Sequence, residues 1–167
     1  EGLRLEKNPV TKFLAEAHDT IHIWPPTINP QNEEERRKKF AMDRESIEYA
    51  KRSLESGYHI LIFAEGTRSR NGKMQKAQPG VVHFLTLTPD TFILPIGICG
   101  TEKILPPGNS VPIPNLTNIG YGKPFSVSEP IGLFSHLSRD EMRREVMDYI
   151  MRRVAPLVLP QYRGVYA

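Results

Sequence analysis

Residues 59–63, His-Ile-Leu-Ile-Phe, form an apolar run that stops at Ala64-Glu65-Gly66-Thr67-Arg68-Ser69-Arg70. No other stretch limits the available folds so strongly. β-Branched and aromatic residues over this length predict a buried strand, and Asn71-Gly72 just beyond predict a turn. Such a strand delivers a carboxylate, a glycine, a hydroxyl and a guanidinium to its C-terminal end. In open α/β sheets that edge is where ligands bind. Gly66 lets backbone approach a ligand closely. Arg68 carries a planar fork suited to a phosphate or a carboxylate. The plainer alternative is a strand-to-loop junction with surface arginines.

The remaining elements follow in order. Val10, Phe13, Leu14 and Ala17 predict a helix over 7–18, with Asn8-Pro9 at its start. Residues 20–24 alternate like a strand, and a Pro/Asn-rich loop runs from Pro25 to Asn32. Glu33 to Ser56 reads as one long helix with Phe40, Ile47, Ala50 and Leu54 as its buried stripe and Gly57 just past its end. Glu33, Glu34 and Glu35 complement the helix dipole. The basic run Arg36-Arg37-Lys38-Lys39 is either a solvated face or a contact for lipid headgroups or an acidic carrier. After the central strand come a short helix over 81–87, a buried strand over Thr91–Cys99 and a surface loop over 102–116. Pro95 is an anomaly for a central strand. A last strand, broken by glycines, spans Asn118–Gly122 and Pro124–Val127. Ser138 and Glu141 form a capping box for a helix from Arg139 to Val158, with Met142, Val146, Tyr149, Ile150, Val154 and Leu157 on its apolar face. A non-helical tail follows. Helices and strands thus alternate, which predicts an α/β fold: a layered domain with a central, mostly parallel sheet flanked by helices.

Composition narrows the chemistry. The 167 residues suffice for one domain with a real core, and 22 Lys+Arg against 19 Asp+Glu give a net charge of +3. That mild basicity suits an anionic substrate or an anionic membrane surface. No basic run is interleaved with aromatics, so nucleic acid is not an expected partner. The single cysteine, Cys99, forms no intrachain disulfide and anchors no Cys-based metal cluster; it reads as a buried small hydrophobe. No stretch approaches the roughly 18 apolar residues of a spanning helix. His83, with no acid at a useful spacing, reads as a packed or surface histidine rather than a catalytic one. The expected location is reducing and cytosol-facing.

Phe63-Ala64-Glu65-Gly66-Thr67-Arg68-Ser69-Arg70 closely resembles the phosphate-binding motif of the glycerophosphate/lysophosphatidate acyltransferase family. The resemblance extends upstream to Arg44-Glu45-Ser46, Ala50, Leu54 and Gly57. Downstream it takes in Ala77-Gln78-Pro79-Gly80-Val81 and Ile93-Leu94-Pro95-Ile96 with Gly100-Thr101, covering about residues 5–130. It accounts for Pro95. It implies transfer of a fatty acyl group from acyl-CoA or acyl-carrier protein to a lysophospholipid-type hydroxyl, at the cytoplasmic face of a membrane. These are co-substrates, and no cofactor or metal is implied. Arg68, Thr67 and backbone at Gly66 should grip the acceptor's phosphate. Glu65 should orient Arg68 or a catalytic histidine, or else ion-pair with Arg68 or Arg70. Where this chain has Gln78 the family commonly has Lys; Lys73 or Lys76 could supply that charge. The strand that usually ends in an acceptor-contacting Arg here ends Ile23-Trp24-Pro25-Pro26.

The family's catalytic signature is His-x-x-x-x-Asp. The fifth residues after His18, His22, His59, His83 and His136 are Ile23, Thr27, Ala64, Thr88 and Glu141. No catalytic residue can therefore be assigned. The signature should lie shortly before a segment like Leu5-Glu6-Lys7-Asn8-Pro9, and the chain opens there at Glu1. The expectation is a single acyltransferase domain over residues 1–167, incomplete at its N-terminus. The alternative is a non-catalytic lipid-phosphate binding module of the same fold.

Overall fold

The structure is a computed structural model that describes residue 21 and residues 29–167, except 70, 89, 105 and 107–110. The helix expected over 7–18, and nearly all of the strand at 20–24 and the loop after it, lie outside the described residues. Two compact units divide the chain, Glu1–Leu61 and Ile62–Ala167.

In the first unit, helix α1 spans Glu33–Glu55, as its periodicity predicts. Both ends are fastened locally. Asn32 accepts a hydrogen bond from the Glu35 N–H at 2.8 Å, which satisfies one of the unpaired donors of the first turn. At the other end Gly57, at φ 83°, donates to Leu54, and Tyr58 donates to Ser53, each at 3.0 Å. That pair of bonds is the Schellman closure. Much of the basic run is paired along the helix. Arg37 pairs with Glu33 at 3.6 Å, Lys38 with Glu34 at 2.6 Å, and Lys39 with Asp43. The predicted stripe needs one correction: Ala50 is fully buried, but Phe40 is 71 % exposed. At about 100° per residue, Phe40 lies about 80° around the helix from Ala50.

The second unit is organised around helix α4, Arg139–Val154. Before it come α2 (Val82–Leu85), β1 (Phe92–Ile93), β2 (Ile96–Cys99), β3 (Asn118–Tyr121), β4 (Phe125–Ser126) and α3 (Ser128–Leu133). The capping box of Ser138 and Glu141 is present. Helix α4 stops four residues before the expected end and continues as a 3-10 turn over Ala155–Leu157. Pro156 lacks the N–H that another α-helical turn would need. On α4, Val146, Met147 and Ile150 pack with Val82 and Phe125 in one buried cluster. Met151 and Ala155 join Met74, Cys99 and Val158 in another. Cys99 is the small buried residue expected. Helix α3 was not foreseen; it is short, with Pro130 in its first turn, where a missing N–H does no harm.

The sheet differs from expectation. β1 pairs antiparallel with β4, and β2 antiparallel with β3. Among the described residues no parallel ladder forms, so the mixed helix-and-strand class holds but the central, mostly parallel sheet is not seen. The run Thr91–Cys99, expected as one strand, is two. Leu94-Pro95 separates them, and the Pro95 carbonyl instead accepts from Gly122 at 2.9 Å. Residues 59–63 form no strand among the described residues, and Leu61 and Phe63 are 68 % and 71 % exposed. The buried strand predicted there is therefore corrected. β-Propensity describes fit to a paired, half-buried surface, and no described backbone pairs with this run.

Candidate phosphate-binding loop

Residues 64–78 leave the apolar run and return to it. The Gln78 N–H donates to the Ala64 carbonyl at 2.8 Å, and the Gln78 side-chain amide donates to the Glu65 carbonyl at 3.3 Å. Such a compact surface loop with joined ends is a frequent carrier of function. Its first turn closes where Gly66 donates to Phe63 at 3.0 Å. Gly66 sits at φ 67°, a conformation that side chains with a Cβ resist. The middle is held by Ser69 and Asn71. The Ser69 hydroxyl donates to the Lys73 carbonyl at 2.8 Å, and the Lys73 N–H donates to the Asn71 side-chain oxygen at 3.1 Å.

Thr67, Arg68, Lys73 and Lys76 are all exposed on this loop. Among the described residues none of the three cations is ion-paired. The sequence-predicted cations and hydroxyl thus share one loop that is fixed at its neck and middle. Arg70 lies outside the described residues. The loop can offer an anion several donors and positive charges without first breaking an internal salt bridge.

Glu65 behaves differently. It is half-buried, and burial raises its carboxyl above the ordinary range, opposed by a hydrogen bond from the Gln75 backbone. One carboxylate oxygen, Oε2, is buried and has no hydrogen-bond partner among the described residues. Among the described residues it makes no ion pair or hydrogen bond to Arg68. A buried acceptor left over in this way is an opening for a donor. No described histidine supplies one. His59 and His136 are exposed, and His83, also exposed on α2, has its pKa lowered by partial burial and by Arg143 and Arg139. The surface reading of His83 therefore stands.

Residues that drew no attention in the sequence also shape the loop. Met74, buried at 8 % exposure, donates its N–H to the Tyr162 carbonyl at 2.8 Å and accepts from Val165 at 3.3 Å. The Tyr162 hydroxyl donates to Glu102 at 3.1 Å, and that of Tyr166 to Asp148 at 3.1 Å. The only signal for this in the sequence is Tyr162-x-Gly164-x-Tyr166, two rings around a glycine in a stretch otherwise poor in packing groups.

A family model described as Acyltransferase matches residues 6–99, more than half of the chain, including the whole 64–78 loop. No curated protein and no solved structure matches.

Proposed function

The chain belongs to the acyltransferase family, and from that membership we propose that its 64–78 loop holds the phosphate of a lysophospholipid-type acceptor. 1-Acylglycerol 3-phosphate is an acceptor of this kind. The donor is acyl-CoA or acyl-carrier protein, and the product belongs to phospholipid biosynthesis. A lipid acceptor places the protein peripherally on the cytoplasmic face of a membrane. Among the described residues no helix is long and apolar enough to cross one.

The observation that carries this reading is the exposed Arg68 beside Thr67, ion-paired to none of the described residues, on a loop whose turn is set by Gly66. In the reaction the acceptor's hydroxyl oxygen attacks the thioester carbonyl. The C–S bond breaks, the thiol leaves, and a base takes the hydroxyl proton. Arg68 does none of this chemistry. It fixes a remote charge, so that binding energy becomes orientation of the hydroxyl. Lys73 and Lys76 add positive charge to the same loop. Glu65, with its unpartnered oxygen, accepts a hydrogen bond from a group that completes the site.

One observation favours a second reading, a non-catalytic lipid-phosphate binding module of the same fold. No histidine in these 167 residues has an aspartate five positions on. The holding step is tested by titrating the chain with glycerol 3-phosphate. Arg68→Ala should weaken binding about ten- to a hundredfold, the worth of a lost charge-assisted bond pair. Unchanged affinity would remove the assignment. Acyl transfer measured on the protein purified from its natural source separates the two readings: turnover supports the enzyme, and phosphate binding without turnover supports the module.

A further inference from the structure

The family match ends at residue 99, yet the loop's most buried residue is held from beyond residue 160. We infer that the segment Tyr162–Tyr166 is a positioning element of the phosphate loop, setting the shape in which Arg68 and its neighbours are presented. The inference rests on the loop being the acceptor-phosphate site.

Three contacts join the segment to the loop. The first is the pair of backbone bonds on either side of Met74, from its N–H to Tyr162 and from Val165 to its carbonyl. They fix both polar groups of one loop residue. The second is Gly164, at φ 55°, which lies so close under Met74 that a Cβ there would collide with the Met74 carbonyl oxygen. The third is the Tyr166 hydroxyl, which lies near the Ala77 backbone N–H and donates to Asp148 on α4 at 3.1 Å. It therefore sits between the returning limb of the loop, one residue before Gln78, and the helix at the centre of the unit.

A second contact braces the middle of the loop. The space beside Gly72 is filled by Glu102, and by the ring of Tyr162 at 3.3 Å from the place a Cβ would take. The Tyr162 hydroxyl bonds to that same Glu102. The segment thus touches the loop at residues 72, 74 and 77, while Thr67 and Arg68 stay exposed. A ligand site on a loop needs such support, because each unfixed torsion must be ordered at binding.

The test uses Gly164→Ala and Tyr166→Phe, with amide hydrogen exchange and glycerol 3-phosphate titration on the same samples. Both variants should speed exchange at the Met74 and Gln78 amides and leave the α4 amides slow. Both should weaken glycerol 3-phosphate binding by about three- to tenfold. Saturating glycerol 3-phosphate should slow loop exchange in the unaltered chain. Unchanged loop exchange in both variants would overturn the inference. So would a faster loop with unchanged affinity, in a chain whose Arg68→Ala form binds weakly; that result leaves the phosphate site itself standing. If Arg68→Ala also leaves affinity unchanged, the phosphate reading is what has failed, and the inference falls with it. If Gly164→Ala loosens α4 as well, Tyr166→Phe decides, since it keeps the ring and removes only the hydroxyl.

Discussion

The Tyr166 hydroxyl donates to the Asp148 carboxylate at 3.1 Å. Together with burial, which contributes most, that bond pushes the phenol up to about 12. Since the folded value lies above the ordinary 10, the neutral phenol contributes stability that is complete below pH 10. It is lost as pH rises through about 12. Denaturant midpoints of the chain and of Tyr166→Phe should therefore converge over that range. The last phenolate step in the ultraviolet titration should vanish in the variant.

Glu65 gives the opposite practical result at neutral pH. Burial raises its carboxyl, so the protonated form favours the fold, and that contribution falls away as pH rises through the raised value. Wherever the carboxylate is ionised its charge is held half-buried, and among the described residues Oε2 has no hydrogen-bond partner. Glu65→Gln should raise the melting temperature at pH 7, and the advantage should shrink as the pH is lowered towards 4. A melting temperature lowered at every pH would show that the carboxylate is compensated in a way the hydrogen bonds do not reveal.

Gln78 stands at the neck of the loop, its side chain on the Glu65 carbonyl at 3.3 Å. Gln78→Lys gives up that bond and adds a cation beside the other exposed charges. Glycerol 3-phosphate affinity should rise about two- to fivefold, the range of a partly exposed ion pair. The gain should disappear at high salt. Calorimetry at two ionic strengths reads both effects.

Val146 is fully buried in the cluster between α4 and Phe125. Val146→Ala removes two methyl groups from a site with no solvent to fill it. The expected loss is about 2 kcal/mol, read as a drop of about 4–8 °C in melting temperature. Loop exchange at Met74, which packs in the other cluster, should change little.

The parts legible in the sequence are those decided by neighbours along the chain. Gly57 and the Ser138–Glu141 box mark helix ends because capping is settled within a few residues. The candidate loop was legible for the same reason: Gly66, Asn71-Gly72 and the exposed cations are all local signals. Strand partners were not. Nothing in Thr91–Cys99 states that its two halves pair with segments on either side of Gly122, and only Pro95 hints at the break. The run at 59–63 has the composition of a buried strand, yet pairing depends on which backbone lies alongside. The support from Tyr162 and Tyr166 was invisible because each attachment joins residues far apart in sequence.

That separation also governs timing. Met74 takes its hydrogen-bond partners from residues 162 and 165, so a chain emerging from the ribosome has Thr67, Arg68, Lys73 and Lys76 in hand long before it can set the loop that carries them. Contacts spanning so much polymer form late. On the proposed reading, ligand competence in a growing chain should arrive abruptly with Tyr162 and Tyr166 rather than when Arg68 is made.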